Sequence, residues 1–178
     1  MSNTHTTQPS LALLPTVRNL EEARKHAHEY ASVLTAGPDK QEVRFNHPDH
    51  LVVTFDDVTD PYWAEYDAPT YEHVKQMISW GHGRENLLVH CHAGISRSTS
   101  TAWGIAISNG FDPEEAYEML RNNHPKSSYA GREYSRSFHP NELIVTHLQK
   151  LFHFDNDELL RIHDNNQKSS PWFPVRKV

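Results

Sequence analysis

Leu87-Leu88-Val89 is a short, wholly apolar run, and a loop containing Gly94 separates it from Ser98–Ser108, a segment that is largely small and apolar all round. A strand of that kind is covered on both faces, and a helix without a polar side belongs inside a domain. Strand, tight loop and buried helix in that order constrain the chain to an α/β domain with a mostly parallel central sheet. The remaining pattern agrees. Asn19-Leu20-Glu21-Glu22 has the form of a capping box and opens a helix expected to run to about Tyr30. Ala31–Thr35 reads as a strand ended by Gly37-Pro38, and Leu51–Phe55 as another, ending in the acidic loop Asp56-Asp57-Val58-Thr59-Asp60-Pro61. Pro69 marks a helix start, and Tyr71, Val74, Met77 and Ile78 form its stripe up to Trp80-Gly81. Asp112-Pro113-Glu114-Glu115 starts another helix, with Ala116, Met119 and Leu120 facing inward. Leu143, Ile144, His147, Leu148, Leu151 and Phe152 share one face of a last helix. The expectation is a sheet of about four to five strands flanked by helices.

A length of 178 residues suits one domain. Residues 1–10 read as a flexible polar leader, 11–165 as the domain and 166–178 as a polar tail; no internal repeat is visible. Apolar runs are a few residues long, whereas a membrane-spanning helix needs about 20. The start of the chain has neither the basic nor the apolar part of a signal peptide, so a cytoplasmic protein is expected. The net charge of -6 argues against a general nucleic-acid or membrane-surface binder. One cysteine excludes an intrachain disulfide, and the 14 histidines show neither HExxH nor a His/Cys ligand set, so no metal or other cofactor is expected.

The stretch that carries chemistry is Val89-His90-Cys91-His92-Ala93-Gly94-Ile95-Ser96-Arg97-Ser98-Thr99. The only thiol of the chain sits at the carboxyl end of a buried strand, where open α/β sheets bind ligands. Loop amides and a following helix N-terminus form a nest for an anion and favour thiolate over thiol. Arg97 adds a planar fork that fits two phosphate oxygens.

These residues, as His-Cys-x-x-Gly-x-x-Arg-Ser, resemble the signature of the cysteine-based protein tyrosine and dual-specificity phosphatases. The resemblance covers roughly residues 28–155. With Phe55-Asp56-Asp57 and Pro140-Asn141 it looks most like a small bacterial and phage branch of single-domain tyrosine phosphatases. It implies a phosphate-binding loop between a strand and a buried helix, in a catalytic domain spanning 11–165. Cys91 would be the nucleophile, and Arg97 would bind the phosphoryl oxygens. The amides of His92, Ala93, Gly94, Ile95, Ser96 and Arg97 would form the cradle. Ser98 would help the thiolate leave, unless it is only a helix-start residue. His90 would order the loop. Asn141 matches an asparagine that brace the loop in the family, yet after Pro140 it also suits an ordinary helix start.

The resemblance also calls for a carboxylic acid to protonate the leaving group, and Asp56, Asp57 and Asp60 are the candidates. Asp60 is nearer the usual family separation from the cysteine. Asp57 has the usual place directly after the strand and is favoured. His92 and Ile95 stand where phosphoinositide-directed relatives carry lysine, so a phosphorylated protein or peptide is the expected partner. Segment 122–139, with Lys126, Arg132, Arg136, Tyr129 and Tyr134, is either part of the site's rim or a solvated loop. Two rivals are a phospho-binding pseudophosphatase and a rhodanese-like sulfurtransferase, whose loop is normally one residue shorter.

Overall fold

The computed structural model describes residues 8–37, 45–63, 65–124, 127–129, 132–134 and 138–168, with 127–129 and 132–134 described by their backbone. Four strands form one sheet: β1 (Thr16–Arg18), β2 (Ser32–Ala36), β3 (His50–Val53) and β4 (Leu87–His90). Their order is β1-β4-β2-β3 and every pairing is parallel. The all-buried pattern of β2 and β4 is that of central strands covered on both faces.

Helix α1 (Leu20–His26) covers one face. Asn19 caps it by accepting from the Glu22 amide at 2.8 Å. The helix tightens into a 3-10 turn at Ala27–Glu29 and stops at Tyr30. Ala23 and Ala27 pack there against Val33 and Leu88.

The larger core lies on the other face, among α2 (Tyr71–Gly81), α3 (Arg97–Ser108), α4 (Pro113–Asn123), α5 (Glu142–Leu151) and α6 (Glu158–Lys168). Helix α3 runs through its middle, and Arg97 to Ala106 are all buried. Ser98 to Thr101 would be a costly polar run to bury, but its hydroxyls are occupied. Thr99 donates to Ile95 O and Ser96 O, Ser100 to Ser96 O and Thr101 to Arg97 O, at 2.7–2.8 Å. Ser98 faces the cysteine.

The parallel sheet and the loop between β4 and the buried α3 are as expected. Strand ends differ slightly: β2 is shifted one residue later, and β3 runs from His50 to Val53, leaving Thr54 and Phe55 outside the ladder. Three features lie outside the sequence reading: edge strand β1, helix α6, and an antiparallel hairpin of β5 (Ser127–Tyr129) with β6 (Arg132–Tyr134) inside the polar segment 122–139. Helix α6 continues past Asn165 to Lys168, and Ser10 caps a 3-10 turn at Leu11–Leu13. Residues 1–7 and 169–178 of the expected leader and tail lie outside the described residues, as do the side chains of 125–137. No helix among the described residues is long and apolar enough to cross a membrane.

Candidate active site

Cys91 directly follows β4 and is 1% exposed, at the floor of the loop. Its Sγ receives the Gly94 amide at 3.2 Å and lies 3.1 Å from Ser98 Oγ. Ser98 is the second residue of α3 and fully buried, so its hydroxyl serves the sulfur rather than the helix end. Ser96, at the N-cap, makes no capping bond either. The first amides of α3 are therefore left for another acceptor, as at an anion site.

Gly94 has φ +72°, and a Cβ there would lie 2.7 Å from Asn19 N and 2.8 Å from Arg18 C and O. Only glycine lets the loop lie this close to the β1–α1 junction. The same junction fixes the loop elsewhere: Leu20 N donates to His92 O at 3.0 Å. His124 Nε2 lies 2.6 Å from Gly94 O, and His139 N donates to Ile95 O at 3.0 Å. His92 and Ala93 are exposed at the loop's outer side.

Arg97 is folded back beneath the acidic loop. Its Nη1 donates to Phe55 O at 3.1 Å, while its buried Nε has no hydrogen-bond partner among the described residues. A buried guanidinium N–H without a hydrogen bond is costly, and an oxyanion would satisfy it. Nε lies 3.7 Å from Asp57 Oδ2.

Asp57 is the carboxylate that reaches this loop. Its Oδ1 accepts from Ser96 Oγ at 2.8 Å and from Asn141 Nδ2 at 2.9 Å. Asp60 accepts from its own loop, the Tyr62 amide at 2.9 Å, and Asp56 pairs with the Asp67 backbone across the loop's base. Both are loop caps. The loop closed by Asp56 and Asp67 exposes Tyr62, Trp63 and Tyr66.

Asn141 starts a helix, as its sequence allows, but the side chain braces the acidic loop rather than the phosphate-binding loop. Its Oδ1 caps α5 by accepting from Leu143 and Ile144 amides at 3.1 Å, and its Nδ2 holds Asp57 and the Val58 carbonyl. Its own amide donates to Ser100 Oγ, tying α5 to α3. His90 is fully buried, with Nδ1 3.4 Å from Cys91 O and Nε2 2.7 Å from Thr35 Oγ1. Burial pushes its pKa down to about 4, partly opposed by the Cys91 carbonyl. Among the described residues no three His, Cys, Asp or Glu side chains converge as a metal site.

Of the sequence candidates, His90 to Ser98 and Asp57 fall in or against this loop and Asn141 joins it through Asp57, whereas Asp56 and Asp60 cap their own loop and the side chains of Lys126, Tyr129, Arg132, Tyr134 and Arg136 lie outside the described residues. Leu20, His124 and His139, which hold carbonyls of the loop, lie outside that set, as do two residues of the β2 end. Gly37 packs on Arg97, and Thr35 meets His90. At Gly37 and Thr35 the sequence signals are only a strand and the turn at Gly37-Pro38, because each contact joins distant parts of the chain, Thr35 to β4 and Gly37 to the start of α3.

A parallel α/β sheet with a Cys-x5-Arg loop between a central strand and a buried helix is the architecture of the cysteine-based dual-specificity phosphatases, and this chain has that fold. The solved structure of DUSP15 matches it with a TM-score of 0.53 and 18% identity, over 90% of this chain and 95% of that one. A human tyrosine phosphatase-like serine/threonine/tyrosine-interacting protein matches with a TM-score of 0.50 and 15% identity, over 82% and 95%. In sequence, 81 residues are 30% identical to a MAP kinase phosphatase with leucine-rich repeats from Dictyostelium discoideum. That stretch is 43% of this chain and only 11% of that relative's length. No protein-family model matches the chain.

Proposed function

We propose that the chain is a cytoplasmic phosphatase that hydrolyses phosphomonoesters on proteins or peptides, phosphotyrosine and also phosphoserine or phosphothreonine, through a cysteinyl-phosphate. The observation that carries this reading is the buried Nε of Arg97, without a hydrogen-bond partner among the described residues, in the same loop as a thiol that already receives an amide, with one carboxylate held against that loop.

In the first step the Cys91 thiolate attacks phosphorus and the bond to the leaving oxygen breaks. Asp57, as the acid, gives that oxygen its proton. Arg97 and the loop amides hold the equatorial oxygens, where charge is largest. In the second step water attacks phosphorus, Asp57 takes a proton from it, and the P–S bond breaks. Ser98 donates to the departing sulfur. The products are the alcohol or phenol and inorganic phosphate. Two easier displacements replace one hard hydrolysis, and neither uses a metal or other cofactor. A thiolate nucleophile suits a reducing compartment, which supports the cytoplasmic assignment. The exposed Tyr62, Trp63 and Tyr66 on the Asp57 loop offer flat surface for residues flanking a phosphorylated side chain, which supports a peptide over a small metabolite. The net charge of -6 weighs against nucleic acid or an anionic membrane as partner.

A second reading, capture of a phosphorylated partner without turnover, is raised by the fold shared with a phosphatase-like interacting protein. Turnover separates the two. The full chain should hydrolyse a phosphotyrosine peptide with chelator present, and Cys91→Ser should abolish the activity while leaving the fold intact. Asp57→Asn should lower kcat on that peptide by about 100-fold, but far less on an activated aryl phosphate whose leaving group needs no proton. Asp60→Asn should change neither. A wild-type chain that binds the peptide without releasing phosphate would favour the capture reading. Leaving-group dependence at Asp60 instead of Asp57 would move the acid.

A further inference from the structure

Three polar side chains stand in a row on the sheet face that α1 covers. Parallel pairing sets Thr35 of β2 opposite His90 of β4, and His50 of β3 opposite Val33. Side chains two apart on a strand share a face, so His50, Thr35 and His90 join Val33 and Leu88 on one side. The row ends at the cysteine. Thr35 Oγ1 lies 2.8 Å from His50 Nε2 and 2.7 Å from His90 Nε2, and His90 Nδ1 lies 3.4 Å from Cys91 O. Phe45 stacks on the His50 ring at 4.7 Å and leans on the His90 ring at 5.4 Å, shielding the row from water.

The direction of this row is fixed from its Cys91 end. Burial keeps His90 neutral near neutral pH, so its ring carries one N–H. A carbonyl oxygen only accepts, so the proton facing Cys91 O is on Nδ1. Nε2 is then an acceptor, and the Thr35 hydroxyl must donate to it. That uses the single hydrogen of Thr35, which can meet His50 only as an acceptor of His50 Nε2–H. Each group commits the next, from His50 to the peptide that carries Sγ.

We propose that Thr35 and His50 are positioning residues for the catalytic loop: they hold His90 in its Nδ1–H tautomer and so fix the Cys91 carbonyl, and with it the sulfur beneath the cradle. The catalytic consequence rests on the phosphatase reading; the tautomer and its effect on oxyanion binding do not. A merely space-filling Thr35 would leave the long 3.4 Å contact with the Cys91 carbonyl as the sole determinant of the His90 tautomer.

The experiment compares Thr35→Val, Thr35→Ser and His50→Phe. Three readouts are used: kcat and KM on an aryl phosphate, affinity for tungstate, and long-range 1H–15N NMR of the His90 ring. Wild type should show the Nδ1–H tautomer. Thr35→Val should lose that pattern, bind tungstate more weakly and lower kcat by about tenfold with KM within about twofold, the scale of one lost hydrogen bond. Thr35→Ser keeps the hydroxyl and should recover all three. His50→Phe keeps the ring stack at a half-buried position and should shift the same readouts in the same direction by a smaller factor. The proposal is overturned by a wild-type His90 protonated on Nε2, or by Thr35→Val and Thr35→Ser that agree in tautomer and tungstate affinity. Should Thr35→Val not fold, unchanged tautomer and affinity in His50→Phe overturn it. Should wild type hydrolyse no phosphomonoester, the phosphatase reading fails, and the NMR and tungstate results still decide for or against this one.

Discussion

At Gly37 the space available is set by Arg97. The residue has φ +59° and donates its amide to Val53 O at 2.6 Å. A Cβ there would lie 2.3 Å from Arg97 Nη1 and 2.3 Å from Phe55 O, the two atoms whose hydrogen bond folds the guanidinium back. Neither atom can yield without the other, because Phe55 is itself anchored in the core and stacked on His73. Gly37→Ala should therefore weaken tungstate binding and lower kcat/KM by at least about tenfold, in addition to the left-handed backbone cost of roughly 1 kcal/mol. Gly83 is the control: its φ is +73°, but nothing lies within 4 Å of an added Cβ. Gly83→Ala should show the backbone cost in thermal melting and leave tungstate affinity unchanged. Equal effects at the two glycines would mean that backbone strain, not the guanidinium, sets the outcome at Gly37. Gly37 is visible in the sequence only as the end of a strand. Its contact with Arg97 depends on how the loop after β3 crosses the sheet, and no local pattern encodes that.

Helix α5 starts on a residue that also holds the acid, so one side chain joins an element's stability to the site. Asn141 is 2% exposed, caps two amides and donates to Asp57. Asn141→Ala should cost about 1–2 kcal/mol of stability through the lost cap. It should also slow turnover of a phosphotyrosine peptide more than of an activated aryl phosphate, as a displaced acid would. Asn141→Ser keeps a capping oxygen but is too short to reach Asp57, so it should recover much of the urea midpoint and little of the turnover. Recovery of both would show that Asp57 needs only an intact α5. The helix itself is legible from its apolar stripe, as α2 and α4 are from theirs with a capping residue or a leading proline. Elements without such signals are not. Strand β1 has three residues and one buried side chain, Val17. The turn into α6 places His153, Asn156 and Asp157 at positive φ without a glycine, and α6 carries its apolar face on Leu159, Leu160 and Ile162 in an otherwise polar sequence. In the site, the signature residues are legible because they are contiguous. Thr35, His50 and Gly37 come from separate strands and strand ends, and join it only once the parallel register is set.

Across the whole molecule, histidine links the sheet, the helical layer and pH. His90 in β4 and His163 in α6 are each almost wholly buried, and burial pushes both down to about 4. His163 lies 3.3 Å from Tyr117 OH and beside the His139 ring, so it is built into the packing of α4 against α6. His50 and His147 are also lowered by burial, to a smaller degree. In the unfolded chain these rings return to the ordinary value of about 6.5. Below that pH the unfolded state takes up protons that the folded state refuses until about pH 4, so stability falls as pH drops through that window. Above about 6.5 the rings are neutral in both states and their contribution is flat. The urea midpoint should thus hold steady from pH 8 to pH 7 and decline between about 6.5 and 4.5. His163→Gln should lower the midpoint at neutral pH and make the decline shallower, because one of the protons is no longer taken up on unfolding. A His163→Gln decline as steep as that of wild type would place the proton uptake elsewhere. The same linkage bears on the site. Protonating His90 would put a second N–H on Nε2, opposing the donation it receives from Thr35. Loss of the His50–Thr35–His90 order and loss of the fold should therefore occur in the same acidic range.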